Sequence, residues 1–506
     1  MSSKVLSAAV LGLNCELVKV EADTSWSNAK FFIVGLPDKA VDESKERVRS
    51  AIKNSGFEMP RGRITINLAP ADLRKEGPAY DLSIAISILL TSKQLVLPKA
   101  WDEQIFIGEL ALDGELRPVN GVLSICLEAK ERGIETVYLP KDNALEANLV
   151  SGLQIYPVQN LKQLTDHLLT KQIIKPFKAC RFFNQQKLDS VHDMAYVKGQ
   201  QHVKRALEIS ASGGHNILMS GVPGAGKTLL AKTMTTILPG MTISESLEVT
   251  RIYSVAGLLP SSQPLVTQRP FRSPHHTASG VSLVGGGAWP KPGEISLAHR
   301  GILFLDEFPE FPRAVLENLR QPLEDGLISV SRAAGTLQFP AKFILVAAMN
   351  PCPCGYLNDS DRNCTCLPSQ IIHYQKKISG PLLDRIDLHV EVPKVKFEKL
   401  NDNNLAETSG EIRKRVGKAR QIQQKRFSGL NIITNSEMSS RQVKVFCPVD
   451  SKTVELLRQA VNQLGLSARS YFRILKLGRT IADLAGERDI KLEHIAEALQ
   501  YRPKVE

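Results

Sequence analysis

The chain has 506 residues, 43% hydrophobic and 23% charged, an ordinary globular composition too long for one core and suited to about three domains. No apolar run reaches the ~18 residues that a membrane span needs. The net charge of +12, from 64 Lys and Arg against 52 Asp and Glu, favours a polyanionic partner without naming one.

The opening "MSSKVLSAAVLGLNCELVKVEAD" is apolar, but Asn14 and Glu16 interrupt it. It reads as a strand rather than a secretory signal, so the protein is expected in the cytoplasm. "FFIVG" reads as a buried strand and "DKAVDESKERVRSAIKNSG" as an amphipathic helix ending at a glycine. Strand "RITINLA" and apolar helix "DLSIAISILLTS" follow, by the same periodicity. A hairpin is predicted around Asp113-Gly114, then helix "VLSICLEAKERG" closed by Gly133, strand "TVYLP" and a short final helix. Residues 1–170 are thus predicted as an α/β domain with a mixed sheet. Residues 171–195, basic and without periodicity, read as a linker.

Residues 196–395 carry the nucleotide chemistry. "NILMSGVPGAGKTLLAKTM" is a strand, a glycine-rich loop and a helix, the order a P-loop requires. Gly221, Val222, Pro223, Gly224, Ala225 and Gly226 form the cradle whose N–H groups face phosphate, helped by the helix N-terminus. Lys227 is expected on the β- and γ-phosphates of ATP, and Thr228 on Mg²⁺. Strand "GILFLDEF" delivers two carboxylates: Asp306 for Mg²⁺ through water, Glu307 to polarise the attacking water. Strand "FILVAAMNP" ends at Asn350, suited to positioning that water.

"SGPLLDRIDLHVEV" leaves Arg385 with two readings: a structural salt bridge to Asp384 or Asp387, or an arginine finger aimed at a neighbour's nucleotide. Between the last two stretches, "CPCGYLNDSDRNCTC" holds four of the eight cysteines, Cys352, Cys354, Cys364 and Cys366. In a cytoplasmic ATPase this clustering reads as metal-binding. Four thiolates close a structural zinc site with no open position for catalysis; the competing reading is free thiols in a loop.

Two stretches are candidates for contact with nucleic acid. In "SLVGGGAWPKPGE", Trp289 and Lys291 are suited to a base and a phosphate, unless Trp289 simply packs. "EDGLISVSRAAGTLQFPAKF" alternates like a hairpin with Arg332 near its turn. His275 and His276 read as packing or hydrogen-bonding residues, not metal ligands. Residues 408–506 read as a helical lid. Its helix 411–426 carries seven Lys and Arg, a solvated face with some attraction for phosphate backbone. Val454, Leu457, Val461 and Leu464 line one face of a later lid helix.

These residues together, from the P-loop and "LFLDE" to "SGPLLDRID" and "LSARSYFRILKLGRTIADLAG", resemble the AAA+ ATPases. More narrowly they resemble the magnesium-chelatase-like YifB/ComM family, most specifically over 269–307, and the resemblance spans the chain. It implies that Arg385 is a trans-acting finger and that Arg469 is a sensor contacting γ-phosphate in cis, with Arg473 and Arg479 on the same helix as alternatives. It further implies a homohexameric ring, with the stretches around Trp289, Lys291 and Arg332 as candidates for the loops facing its pore. The first 170 residues are similar to the Lon protease fold. The Lon nucleophile position in "KEGPAY" is Ala79, and the catalytic lysine position in "NGVL" is Leu123, so no peptidase activity is expected.

Three functions follow. Family members act on recombination intermediates during natural transformation, so the first is a helicase or branch-migration motor on DNA. A chaperone-like protein remodeller is the second. The third, a subunit driving magnesium chelation, needs an integrin-type partner domain that this chain lacks. Basic charge and the basic hairpin favour the DNA motor. "GGGAWPK" is a poor match to the aromatic-hydrophobic pair of protein-pulling loops.

Overall fold

The computed structural model describes residues 2–96, 103–178, 192–260, 262–287, 290–332, 335–357, 359, 361–395 and 406–502. Two large sheets organise it. The N-terminal one has seven strands in the order Lys30–Val34, Arg63–Ala69, Asn14–Ser25, Ser2–Leu11, Gln104–Phe106, Thr136–Pro140, Gln154–Val158. Antiparallel and parallel pairings mix within it. Asp38 caps the helix Lys39–Asn54 by accepting from Val41 N, and that helix buries Val41, Val48, Ala51 and Ile52, the spacing of one helical face. The predicted hairpin pairs Glu109–Leu110 with Leu116–Arg117.

The run "FFIVG" is not a buried strand. Lys30–Val34 is the outer strand of the sheet; Ile33 turns inward, while Phe32 and Val34 are 37% and 45% exposed. A short apolar run fixes a strand more firmly than its position in the sheet.

The second sheet is fully parallel, in the order Phe271–Arg272, Ile302–Leu305, Ile344–Met349, Ile217–Ser220, Leu388–Glu391. The three central strands are buried along their length, apart from half-buried Ser220. That is why they read as unbroken apolar runs, as expected for strands covered on both faces. The C-terminal helices Ser409–Arg426, Ser451–Leu464, Ala468–Ala485 and Leu492–Gln500 pack beside this sheet and share its hydrophobic core.

Two lid expectations need correction. Val454 is exposed, and the buried line of its helix runs through Thr453, Leu457 and Ala460. The basic helix 411–426 is not a free cationic face. Arg413 donates to Thr236 O at 2.7 Å, Arg415 pairs with Glu208 and Glu407, Arg420 is buried on Ala211 O, and Arg426 pairs with Asp483. Lys414, Lys418 and Lys425 are exposed there, as is Arg415 despite its two ion pairs.

The stretch read as a linker is packed at both ends. Ile174 joins the N-terminal core and Phe177 N donates to Ile155 O at 2.7 Å. Met194 is buried in the core of the parallel sheet. The intervening 179–191 lie outside the described residues. The N-terminal unit rests on the helix Ile243–Ala256: Arg251 donates to Leu13 O at 2.6 Å and to Ser124 Oγ at 3.1 Å. Among the described residues no helix is long and apolar enough to cross a membrane.

Candidate nucleotide site

The P-loop residues lie at the C-terminal edge of the parallel sheet. After strand Ile217–Ser220 the chain turns through Gly224 and Gly226, at φ +76° and +86°, into the helix Lys227–Ile237. These left-handed angles suit glycine and curl Gly221, Val222, Pro223 and Ala225 around the helix start. The Lys227 ammonium donates to Gly221 O at 2.6 Å, Val222 O at 3.1 Å and Asn350 Oδ1 at 3.0 Å. Burial lowers its pKa, and Asp306 opposes the fall. Thr228 Oγ1 donates to Asp306 Oδ2 at 2.7 Å. Residues expected from the sequence to meet phosphate, magnesium and water therefore come together in two hydrogen-bonded pairs, Lys227 with Asn350 and Thr228 with Asp306.

Glu307 stands next to them, its backbone at φ +51°, a conformation uncommon for a non-glycine residue. Its N–H donates to Asp306 Oδ1 at 3.0 Å. His276 Nδ1 lies 3.0 Å from Glu307 Oε2, and its ring lies tilted against that of His275 with centroids 4.1 Å apart. Sequence reasoning allowed His276 a hydrogen bond but did not name Glu307 as its partner. It comes from the loop after strand Phe271–Arg272, the neighbour of Ile302–Leu305, and that adjacency is invisible in the residues themselves.

The two arginines expected on γ-phosphate lie elsewhere. Arg385 bonds neither Asp384 nor Asp387 through its side chain; it donates to Pro381 O at 2.7 Å and to Glu324. Asp387 is taken by Arg473, at 2.7 Å, which also donates to Arg385 O at 2.6 Å. Arg469 donates to Glu324 Oε1 at 2.7 Å. This cluster surrounds Asn216, Asp387 and the N-terminal ends of the strands. Asn216 and Gly221 flank one strand and, at ~3.3 Å per residue, are roughly 16 Å apart. The expected cis contact of Arg469 does not fit this arrangement: it shares the edge of Arg385, not that of Lys227. Arg479 is no alternative, being 2% exposed with its donors spent on Asp483, Arg488 O and Glu487 O. Glu324, Arg469 and Arg473 line a cavity of about 750 Å³ between sheet edge and lid.

The four clustered cysteines converge without a disulfide. Their sulfurs lie within 4.8 Å of one another and could hold a metal ion. The Sγ separations are 3.4 Å for Cys352–Cys354, 3.5 Å for Cys354–Cys364 and 3.7 Å for Cys352–Cys364. Cys366 Sγ accepts from Cys354 N at 3.4 Å. Tetrahedral sulfurs ~2.3 Å from zinc stand roughly 3.8 Å apart, so the set fits that ion with small adjustment. Gly355 follows at φ +86°, where a Cβ would meet the Pro223 ring at 2.7 Å. The cysteine loop thus leans directly on the P-loop.

Of the candidate pore residues, Trp289 lies outside the described residues. Lys291 is exposed and pairs across a two-residue ladder with Gly286. It is near the N-terminal unit: burial and Asp38 push the Glu76 carboxyl up to about 7, and Lys291 opposes them. Arg332 ends strand Leu327–Arg332 opposite Gly335 of strand Gly335–Pro340. That hairpin touches the N-terminal unit, since a Cβ on Gly12 would sit 3.3 Å from Leu337 Cδ1. Ala79 and Leu123, at the Lon dyad positions, pack in one hydrophobic cluster.

Family comparisons agree with this layout. Residues 193–400 match the family described as magnesium chelatase, subunit ChlI; residues 20–143 match subunit ChlI of Mg-chelatase, and 406–502 its C-terminal region. The chain is 46% identical to the competence protein ComM of Haemophilus influenzae, over 99% of this chain and 97% of that protein. It is 44% identical to the uncharacterized protein YifB of Escherichia coli, over 99% and 97%. A Lon protease of Brevibacillus choshinensis is 25% identical over 169 residues, 31% of this chain and 21% of that one.

Proposed function

Because the chain belongs to the ComM/YifB family of magnesium-chelatase-like AAA+ ATPases, we propose that it is an ATP-driven ring motor, of helicase or branch-migration type, moving DNA strands in recombination intermediates. One observation carries the ring: the phosphate-binding residues and the arginine pair occupy opposite edges of one sheet. A complete site then needs a second copy, whose Arg385 and Arg469 meet the γ-phosphate bound at Lys227. A closed homohexamer satisfies that requirement for every copy.

In this reading Thr228 and Asp306 hold Mg²⁺, Asn350 orients water and Glu307 takes its proton as the oxygen attacks the γ-phosphorus. Trp289, Lys291 and Arg332 contact DNA in the pore, supported by the +12 charge. The relative named a competence protein favours DNA taken up during transformation as the occasion. The N-terminal unit, with alanine and leucine at the dyad positions, braces the pore loops rather than cutting peptides. Residues 1–170, 196–395 and 408–506 then act as brace, motor and lid.

A structural Zn²⁺ on Cys352, Cys354, Cys364 and Cys366 stiffens the loop behind Pro223 and Asn350. Metal analysis is expected to find stoichiometric zinc, lost when Cys352 and Cys364 both become Ser, together with a loss of thermal stability. A folded wild-type protein free of metal would rule the zinc out.

The test of the DNA reading is steady-state ATP hydrolysis with no addition, with single-stranded DNA and with unfolded protein. Stimulation by DNA is expected, and it should fall steeply between about 50 mM and about 200 mM salt. Stimulation by unfolded protein alone would instead make this a protein remodeller.

A further inference from the structure

Neither arginine that the motor reading assigns to a neighbouring nucleotide is free. Glu324 accepts from Arg385 Nη2 through Oε2 and from Arg469 Nη2 through Oε1. A carboxylate offers two coplanar oxygens, the feature by which guanidinium groups also recognise phosphate. Arg385 is drawn inward as a result: its side chain is 10% exposed, against 46% for Glu324 and 43% for Arg469. Its Nε lies buried with no acceptor among the described residues. To reach a second copy it must leave Glu324.

Glu324 also sits between the candidate DNA hairpin and the turn that carries Arg385. It lies in the helix Arg320–Asp325, which passes through Gly326, at φ +66°, straight into strand Leu327–Arg332 of the candidate DNA hairpin. The returning strand is pinned at the same point, Ala341 N donating to Gly326 O at 2.8 Å. At the other end of the helix, Arg320 donates to Ser379 Oγ at 3.1 Å, the residue that begins the short turn carrying Arg385. The hairpin and the carboxylate are therefore linked through one six-residue helix.

We propose that Glu324 is a positioning residue that holds Arg385 and Arg469 in place of phosphate, and that DNA engagement of the Leu327–Pro340 hairpin draws it away so that both arginines reach the neighbour's ATP. The proposal rests on the motor reading and adds its regulation. Hydrolysis is thereby withheld until a strand is in the pore.

The test uses the full chain with Glu324→Gln, which keeps the side-chain shape but loses the charge. Without DNA, its kcat is expected to rise roughly ten- to a hundredfold, about the worth of one charge-assisted hydrogen bond, with KM for ATP unchanged. Stimulation by single-stranded DNA should shrink towards none, and Glu324→Asp should restore it. Adding Arg385→Ala to Glu324→Gln should cancel the gain. An unchanged or lower DNA-free kcat with full DNA stimulation would overturn the latch. Failure of the motor reading is separate: DNA would then not stimulate wild type, while the gain in Glu324→Gln and its loss with Arg385→Ala would persist.

Discussion

Replacing Glu307 by Gln is expected to leave ATP bound while slowing its hydrolysis by about 10²–10⁴-fold, the usual weight of a positioned general base. The magnesium ligands stay intact, since Thr228 and Asp306 bond each other directly, and so does Lys227 with its three acceptors. The amide cannot accept a proton from water, yet it still reaches His276. Lys227→Ala should behave differently: it removes the cation at the centre of the P-loop, and binding itself should fail. Fluorescent-nucleotide titration beside phosphate release separates the two. Equal loss of binding in both variants would mean that Glu307 is structural. Retained hydrolysis in Glu307→Gln would move the base elsewhere.

Arg385→Ala should keep ATP affinity and lose about 10³-fold in turnover, within the range that arginine fingers contribute to phosphoryl transfer. The loss should be repairable from outside. A copy with Arg385→Ala still has Glu307, and a copy with Glu307→Gln still has Arg385. Mixing the two inactive proteins should therefore restore partial turnover, because some sites combine the intact half of each. A finger acting within its own chain gives no recovery at any mixing ratio. The opposite-edge arrangement of Lys227 and Arg385 predicts recovery, and Arg469→Ala should complement in the same way.

Much of the chain was legible because its signals are local. Apolar runs bounded by special residues mark Ile302–Leu305 and Ile344–Met349, and the P-loop glycines declare a backbone that only they adopt readily. What escaped reading were meetings across the fold. Glu324 gives no sign in its own surroundings that residues 61 and 145 positions away will share it. His276 read as a packing or hydrogen-bonding residue, and nothing in its own stretch names Glu307 as its partner. Nor does Gly355 announce that its missing Cβ lets the cysteine loop touch Pro223.

Two misreadings did have a signal. Arg479 follows Arg473 by six positions, roughly 240° around a helix, so it faces away from the arginine edge; its neighbour one turn on, Asp483, holds it there. The basic helix 411–426 also carries Ile412, Val416 and Ala419 on a buried face. Cations flanking such a face lie against the next helix, where they find carbonyls and carboxylates before they find a ligand.

The central claim is that ATP turnover at Lys227 and Glu307 moves DNA, and strand release from a labelled three-stranded junction measures it directly. Wild-type protein with ATP should release the labelled strand, while Lys227→Ala and Glu307→Gln, or wild type without ATP, should leave the junction intact. ATP hydrolysis that proceeds at full rate beside an untouched junction, or release that is equal with Lys227→Ala, would contradict the account.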